Sequence, residues 1–242
     1  MLSDNNVHFE GNGIGKLNTE PTKYGLNTIG KLADPFLTDV GHQQAEGSAN
    51  YLLTLMKKEN IENVIILSSP LTRVQQTTIP LVRKLKENDI PFSFEFDNLL
   101  IEKTFRTKIT DDDTLKEVFF DVPILPEFNL SDPIITCRAD NDWSDFTKRV
   151  QLFAEKLKER VNSLEDKKTL ILVDTHSIFM GVSILYMANQ CEYMPTKDMG
   201  LHTPNGGLSV VHLDKYGWQV RISGYNGYLD TPTGIHTFVG TF

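Results

Sequence analysis

The stretch Val64-Ile65-Ile66-Leu67-Ser68-Ser69-Pro70-Leu71-Thr72-Arg73 decides the fold. Its first four residues are apolar without alternation, as in a strand covered on both faces of a parallel sheet. Its second half changes character. Ser69 suits a helix N-cap and Pro70 suits the first helical position, so a helix is predicted to open at Pro70. Leu71, Val74, Leu81 and Leu85 supply its apolar positions, and Pro80 is expected to kink or split it. The same grammar recurs where Leu170-Ile171-Leu172-Val173 runs into Asp174-Thr175-His176-Ser177, followed by a helix to about Asn189.

Two more helices follow from periodicity. Ala45, Ala49, Leu52, Leu53 and Met56 place one from about Thr38, a plausible N-cap, to Glu59. Trp143, Phe146, Val150, Phe153, Leu157, Val161 and Leu164 recur at three- and four-residue spacing and define one apolar stripe, read as core packing. Phe92 to Phe96 reads as a strand. Leu208 to Leu213 and Trp218 to Ile222 flank Asp214-Lys215-Tyr216-Gly217, a hairpin signal. Strands alternating with helices imply an α/β, three-layer sandwich with a mostly parallel central sheet. The segment from Arg106 to Asp142 has no clear period and reads as an inserted cap segment. With no internal repeat, residues 1–242 read as a single domain carrying that insertion at about 106–142.

Composition narrows the function classes. The chain has 242 residues, 40% of them hydrophobic and 23% charged, which is an ordinary globular balance. A formal net charge of -8 argues against a broad nucleic-acid face. It leaves room for a small anion site, because a few pocket arginines outweigh distant carboxylates locally. Two cysteines, Cys137 and Cys191, are too few for a disulfide framework and point to a reducing compartment. No stretch approaches the roughly 18 apolar residues of a membrane span. The start, Met1 to Asn6, lacks the features of a secretory leader, so a cytoplasmic location is expected. Asp111-Asp112-Asp113 reads as a solvated loop rather than a metal cluster.

Ligands of open parallel sheets bind beyond the carboxyl ends of the strands. Both strand-to-helix junctions lie there, where free N–H groups of a helix start favour an anion. Arg73 would stand on the first turn of one helix and His176 at the end of the neighbouring strand. A cationic fork beside an imidazole suits a phosphoryl group.

Ser68-Ser69-Pro70-Leu71-Thr72-Arg73-Val74-Gln75-Gln76-Thr77 resembles the serine-proline-leucine, arginine, glutamine-threonine segment of the histidine phosphatase superfamily, in its phosphoglycerate mutase-like branch. Asp34 to Ala45 is similar to the segment before that family's first long helix. Leu172-Val173-Asp174-Thr175-His176 looks like its second histidine motif, and Pro204-Asn205-Gly206-Gly207-Leu208 like the turn into a late strand. The resemblance implies a phosphomonoester hydrolase acting through a phosphohistidine intermediate on a small phosphorylated substrate. It implies His8 as nucleophile, Glu102 as the acid for the leaving oxygen, and His176 as the second catalytic histidine. Arg73 is the implied phosphate clamp. Asn12, in a loop that would line the mouth of the site, and Ser177 are candidate substrate-binding residues.

The family's arginine-histidine-glycine motif departs here to Val7-His8-Phe9, and Arg106 or Arg138 is a possible replacement for the missing arginine. Loss of that arginine keeps a second reading open: a catalytically weak or inactive binding module on the phosphatase fold. The implied chemistry needs no metal and no cofactor, and no zinc-ligand spacing is present. Gly11-Asn12-Gly13-Ile14-Gly15-Lys16 fails as a nucleotide loop, since Glu10 and Leu17 stand where a P-loop needs Gly and Ser or Thr. Neither a nucleic-acid nor a membrane partner is expected.

Overall fold

The computed structural model describes residues 26–29, 32–103, 119–164, 168–189, 191, 194 and 203–229. His8 and Asn12 lie outside these residues, as does Arg106.

Among the described residues, the centre is a three-stranded parallel sheet. Strand β3 (Asn63–Ser68) lies between β4 (Phe92–Phe96) and β7 (Thr169–Asp174). Val64 stands opposite Phe92 on one side and Leu170 on the other. The side chains of β3 alternate between two cores, as a strand's period of two requires. Val64 and Ile66 join Leu170 and Leu172 against helices α1 (Asp39–Lys58) and α2 (Thr72–Glu87), where Ala49, Met56, Leu81, Val82 and Leu85 are buried. Ile65 and Leu67 join Ile171 and Val173 on the opposite face. They pack against α3 (Trp143–Ser163) and α4 (Ser177–Ala188). Helices thus cover both faces, and the molecule is the expected three-layer α/β sandwich with a mostly parallel sheet. The stripe of α3 is core: Phe146, Val150, Phe153, Ala154 and Leu157 are all buried.

Two hairpins flank the sheet. Strands β1 (Leu26–Ile29) and β2 (Leu32–Pro35) pair antiparallel, and so do β8 (Leu208–Asp214) and β9 (Gly217–Tyr225). Trp218 closes the core on the α4 side. Among the described residues, the edge of β7 away from β3 carries no strand. Strand β7 is half-buried along its whole length, whereas β3 is buried from Val64 to Ser68.

Three local expectations change. The helix expected at Pro70 opens at Thr72, and its N-cap, Leu71, supplies no side-chain bond. The physical reason is Asp34: its buried carboxylate takes the Thr72 N–H at 2.9 Å, and a charged acceptor is stronger than the Ser69 hydroxyl. Pro80 sits inside an unbroken helix. Finally, the aperiodic segment contains an antiparallel hairpin, β5 (Phe119–Pro123) and β6 (Ile134–Arg138). Its inner residues Phe120, Val122 and Cys137 are buried against Leu71 and Ile101, at the carboxyl end of β3. Burial there pushes the Cys137 thiol up to about 12, as for an unreactive core thiol.

The expected cap of α1 is present, with Thr38 Oγ1 accepting from the Gly41 N–H at 3.0 Å. Thr38→Ala is expected to lower stability by about 1 kcal/mol. Urea unfolding should show a lower midpoint at unchanged slope.

Candidate active site

The carboxyl ends of β3 and β7 are pinned together where the Ser69 N–H donates to the Asp174 carbonyl at 2.9 Å. At this junction the His176 Nε2 and Ser69 Oγ lie 2.8 Å apart. His176 is buried, 6% exposed, and Ser69 is fully buried. Desolvation first, and the nearby Arg73 charge second, hold the imidazole pKa well below its usual value. The ring is therefore neutral at physiological pH. A neutral imidazole has one donor and one acceptor nitrogen. With Nε2 engaged by Ser69, no bond to Nδ1 is made among the described residues.

Arg73 stands on the first turn of α2, as expected, but it does not stand alone. Its guanidinium donates to Asp34 Oδ1 at 3.3 Å. The same carboxylate accepts from Thr72 N–H at 2.9 Å and from Thr72 Oγ1 at 2.7 Å. Asp34 thus fixes both the helix start and the arginine. The consequence is electrostatic. The α2 N-terminus, expected to serve a ligand, already faces a protein carboxylate. The start of α4 is the helix N-terminus next to His176, which is its N-cap residue. The Ser177 hydroxyl donates to the Thr203 carbonyl at 2.8 Å, and Thr203 Oγ1 donates back to Ser177 O. These bonds tie the α4 start to the segment before β8.

Glu102 lies just past a one-turn 3-10 helix, Asn98–Leu100, that follows β4. It is half-buried, and its Oε1 accepts from the neighbouring Lys103 N–H at 2.8 Å. The loop is tethered to the His176 strand, since Thr175 Oγ1 donates to the Leu100 carbonyl at 2.8 Å. It is also held from α3. Arg149 donates to the carbonyls of Leu99, Ile101 and Glu102 and makes a two-pronged contact with Asp140. Arg138 pairs with Asp145 at 3.8 Å and is half-exposed. Among the described residues, no group of three His, Cys, Asp or Glu is placed to hold a metal ion.

The structure therefore gathers Arg73, His176 and the α4 start at one sheet edge, with the Glu102 loop tied to the same strand end. Sequence reasoning assigned no role to Asp34, Arg149 or Asp140, and cast Ser69 as a helix cap. The Asp34–Thr72 contact spans 38 residues and leaves no local pattern. Arg149 did leave one: a charge set into the apolar stripe between Phe146 and Val150.

These features define an open α/β protein with a buried imidazole and a tethered guanidinium at the carboxyl edge of its sheet. The chain belongs to the histidine phosphatase superfamily, branch 1, whose family model matches residues 19–225. Membership supports phosphatase- or mutase-type chemistry in general. The matched span begins beyond His8 and Asn12. No curated protein matches the chain. No helix among the described residues is long and apolar enough to cross a membrane.

Proposed function

We propose that the chain is a phosphomonoester hydrolase working through a phosphohistidine, with a small phosphorylated molecule as substrate. The observation that carries the proposal is the junction of the two strand ends, where a neutral buried imidazole and a positioned guanidinium stand beside a helix N-terminus. Family membership supports phosphatase- or mutase-type chemistry, of which this is one form. In the first step a ring nitrogen of His8 attacks phosphorus and the ester P–O bond breaks. The leaving oxygen takes its proton from Glu102. In the second step water attacks phosphorus, Glu102 accepts the water's proton, and the histidine is released with inorganic phosphate. Arg73, His176 Nδ1 and the Ser177 N–H hold the phosphoryl oxygens, and Asn12 contributes at the mouth. This work is mainly electrostatic. Residues 1–242 act as one domain in this reading, with the segment at about 106–142 as its cap, in the cytoplasm and without metal or cofactor.

A second reading is favoured by specific residues. Val7 and Phe9 replace the arginine and glycine of the nucleophile motif. A binding module that retains phosphate without turnover would keep Arg73 and His176 for that purpose.

The test is an aryl phosphate assay on the protein, His8→Ala and His176→Ala. Hydrolysis lost in both variants is the expected result. Undiminished hydrolysis in His8→Ala would remove the assigned nucleophile. Phosphate binding with no hydrolysis by the unaltered protein would establish the binding module.

A further inference from the structure

We propose that Arg149 is a positioning residue that sets the acid Glu102 against the phosphoryl site. The inference rests on the reading of Glu102 given above and extends it to a residue outside the strand-end crevice.

Arg149 spends its guanidinium on one task. Nε and Nη2 grip the two oxygens of Asp140 at 2.9 and 2.7 Å. Nη1 donates to the carbonyls of Leu99 and Ile101, both at 2.7 Å, and Nη2 reaches the Glu102 carbonyl at 3.3 Å. Three carbonyls within four consecutive residues are thereby held to one planar fork. Such a fork is far more restrictive than a lysine ammonium. The guanidinium lies near two aromatic rings, 5.2 Å from the Phe146 centroid and 5.5 Å from that of Phe179. Its side chain is only 11% exposed, and that of Asp140 only 4%.

The placement matters because Phe179 belongs to the first turn of α4, three residues after His176. Arg149 therefore references the Glu102 loop to the helix that starts at the phosphoryl site. The Thr175–Leu100 bond references it to the strand. Glu102 follows Ile101, which is fully buried, so the clamp acts on a loop already anchored just before the acid. A displacement of about 1 Å in a catalytic group can cost ~10²-fold in rate.

The experiment compares two esters. Dinitrophenyl phosphate has a leaving group stable enough to depart without a proton, and phenyl phosphate does not. An acid out of place slows the second selectively. Glu102→Gln is the reference for a lost acid. Arg149→Lys keeps the charge but not the fork. It is expected to lower kcat/KM on phenyl phosphate by ~10²-fold. Its kcat/KM on dinitrophenyl phosphate should stay within about twofold, because kcat/KM reports the steps through P–O cleavage and not the later hydrolysis of the phosphohistidine, in which Glu102 acts on both esters alike. Asp140→Asn loosens the same clamp and should show the same selectivity at smaller size, which guards against poor folding of Arg149→Lys. Equal losses on both esters in Arg149→Lys and Asp140→Asn, with Glu102→Gln still selective, overturn the positioning role and leave the acid in place. Glu102→Gln without selectivity overturns the acid reading and the positioning role with it. No turnover of either ester by the unaltered protein overturns both.

Discussion

Arg73→Ala is expected to lower kcat/KM for an aryl phosphate by ~10³-fold, near the upper end of what one oxyanion-stabilising group contributes. The argument is local. Arg73 donates to Asp34, and Asp34 in turn is fixed by two bonds from Thr72. The guanidinium is thus oriented before any ligand arrives, and an oriented donor spends no free energy on reorganisation during reaction. With His176 held neutral, Arg73 is the cation on which the described part of the site depends. Arg73→Lys should recover little, since a point charge cannot hold Asp34 and a phosphoryl oxygen in the same fixed geometry. Asp34→Asn separates the contributions: the arginine stays but its tether weakens, so a smaller loss is expected, together with a lower unfolding midpoint. Steady-state kinetics on the three variants check this. Full activity in Arg73→Ala would detach the strand-end crevice from the chemistry.

How much of this was legible in the sequence differs by element. The long aliphatic run Val64 to Leu67 and the α3 stripe carried strong local signals, because burial on two faces or on one helical face writes itself into consecutive residues. β4 and the terminal hairpin were legible for the same reason, and the Thr38 cap from its side-chain oxygen placed just before an apolar helical period. The β5–β6 hairpin was not: only Phe120 and Val122 face inward on β5, too short an alternation to stand out beside Pro123 and exposed Phe119. At the site, Arg73 and His176 could be read because each follows a recognisable strand. The contacts that orient them could not. Asp34 reaches Thr72, Ser69 reaches His176 across 107 residues, and Arg149 reaches Leu99 across 50. Such bonds depend on tertiary placement, and a single sequence records only that a serine, an aspartate or an arginine is available. The mistaken helix start has the same origin, since Ser69 has good capping chemistry but a better partner elsewhere.

Asp174→Asn is expected to stabilise the protein above pH 6 by about 1–2 kcal/mol and to have little effect near pH 4. Desolvation pushes the Asp174 carboxyl up to about 6, against the opposing bond from Thr78. The hydrogen-bond count agrees. Thr78 Oγ1 lies 2.9 Å from the Val74 carbonyl and 2.6 Å from Asp174 Oδ2, yet a hydroxyl has one proton. A protonated Asp174 donates to Thr78, which donates on to Val74, and every group is satisfied. An ionised Asp174 must take the Thr78 proton and leave the helical carbonyl without it. A carboxyl whose folded pKa lies above its unfolded value of 3.8 stabilises fully below that value, and the contribution is lost as pH rises through about 6. The full shift corresponds to at most about 3 kcal/mol at ~1.4 kcal/mol per pH unit. Asp174 is half-buried, so solvent screening reduces that figure to the expected range. His176 acts with the opposite sign, because its depressed pKa costs stability as pH falls below 6.5. The total pH profile therefore mixes two trends, and the difference between variant and parent isolates the carboxyl. Thermal unfolding of both proteins from pH 4 to 8 measures it. A difference that stays constant across that range would mean that Asp174 ionises as freely in the folded chain as in the unfolded one.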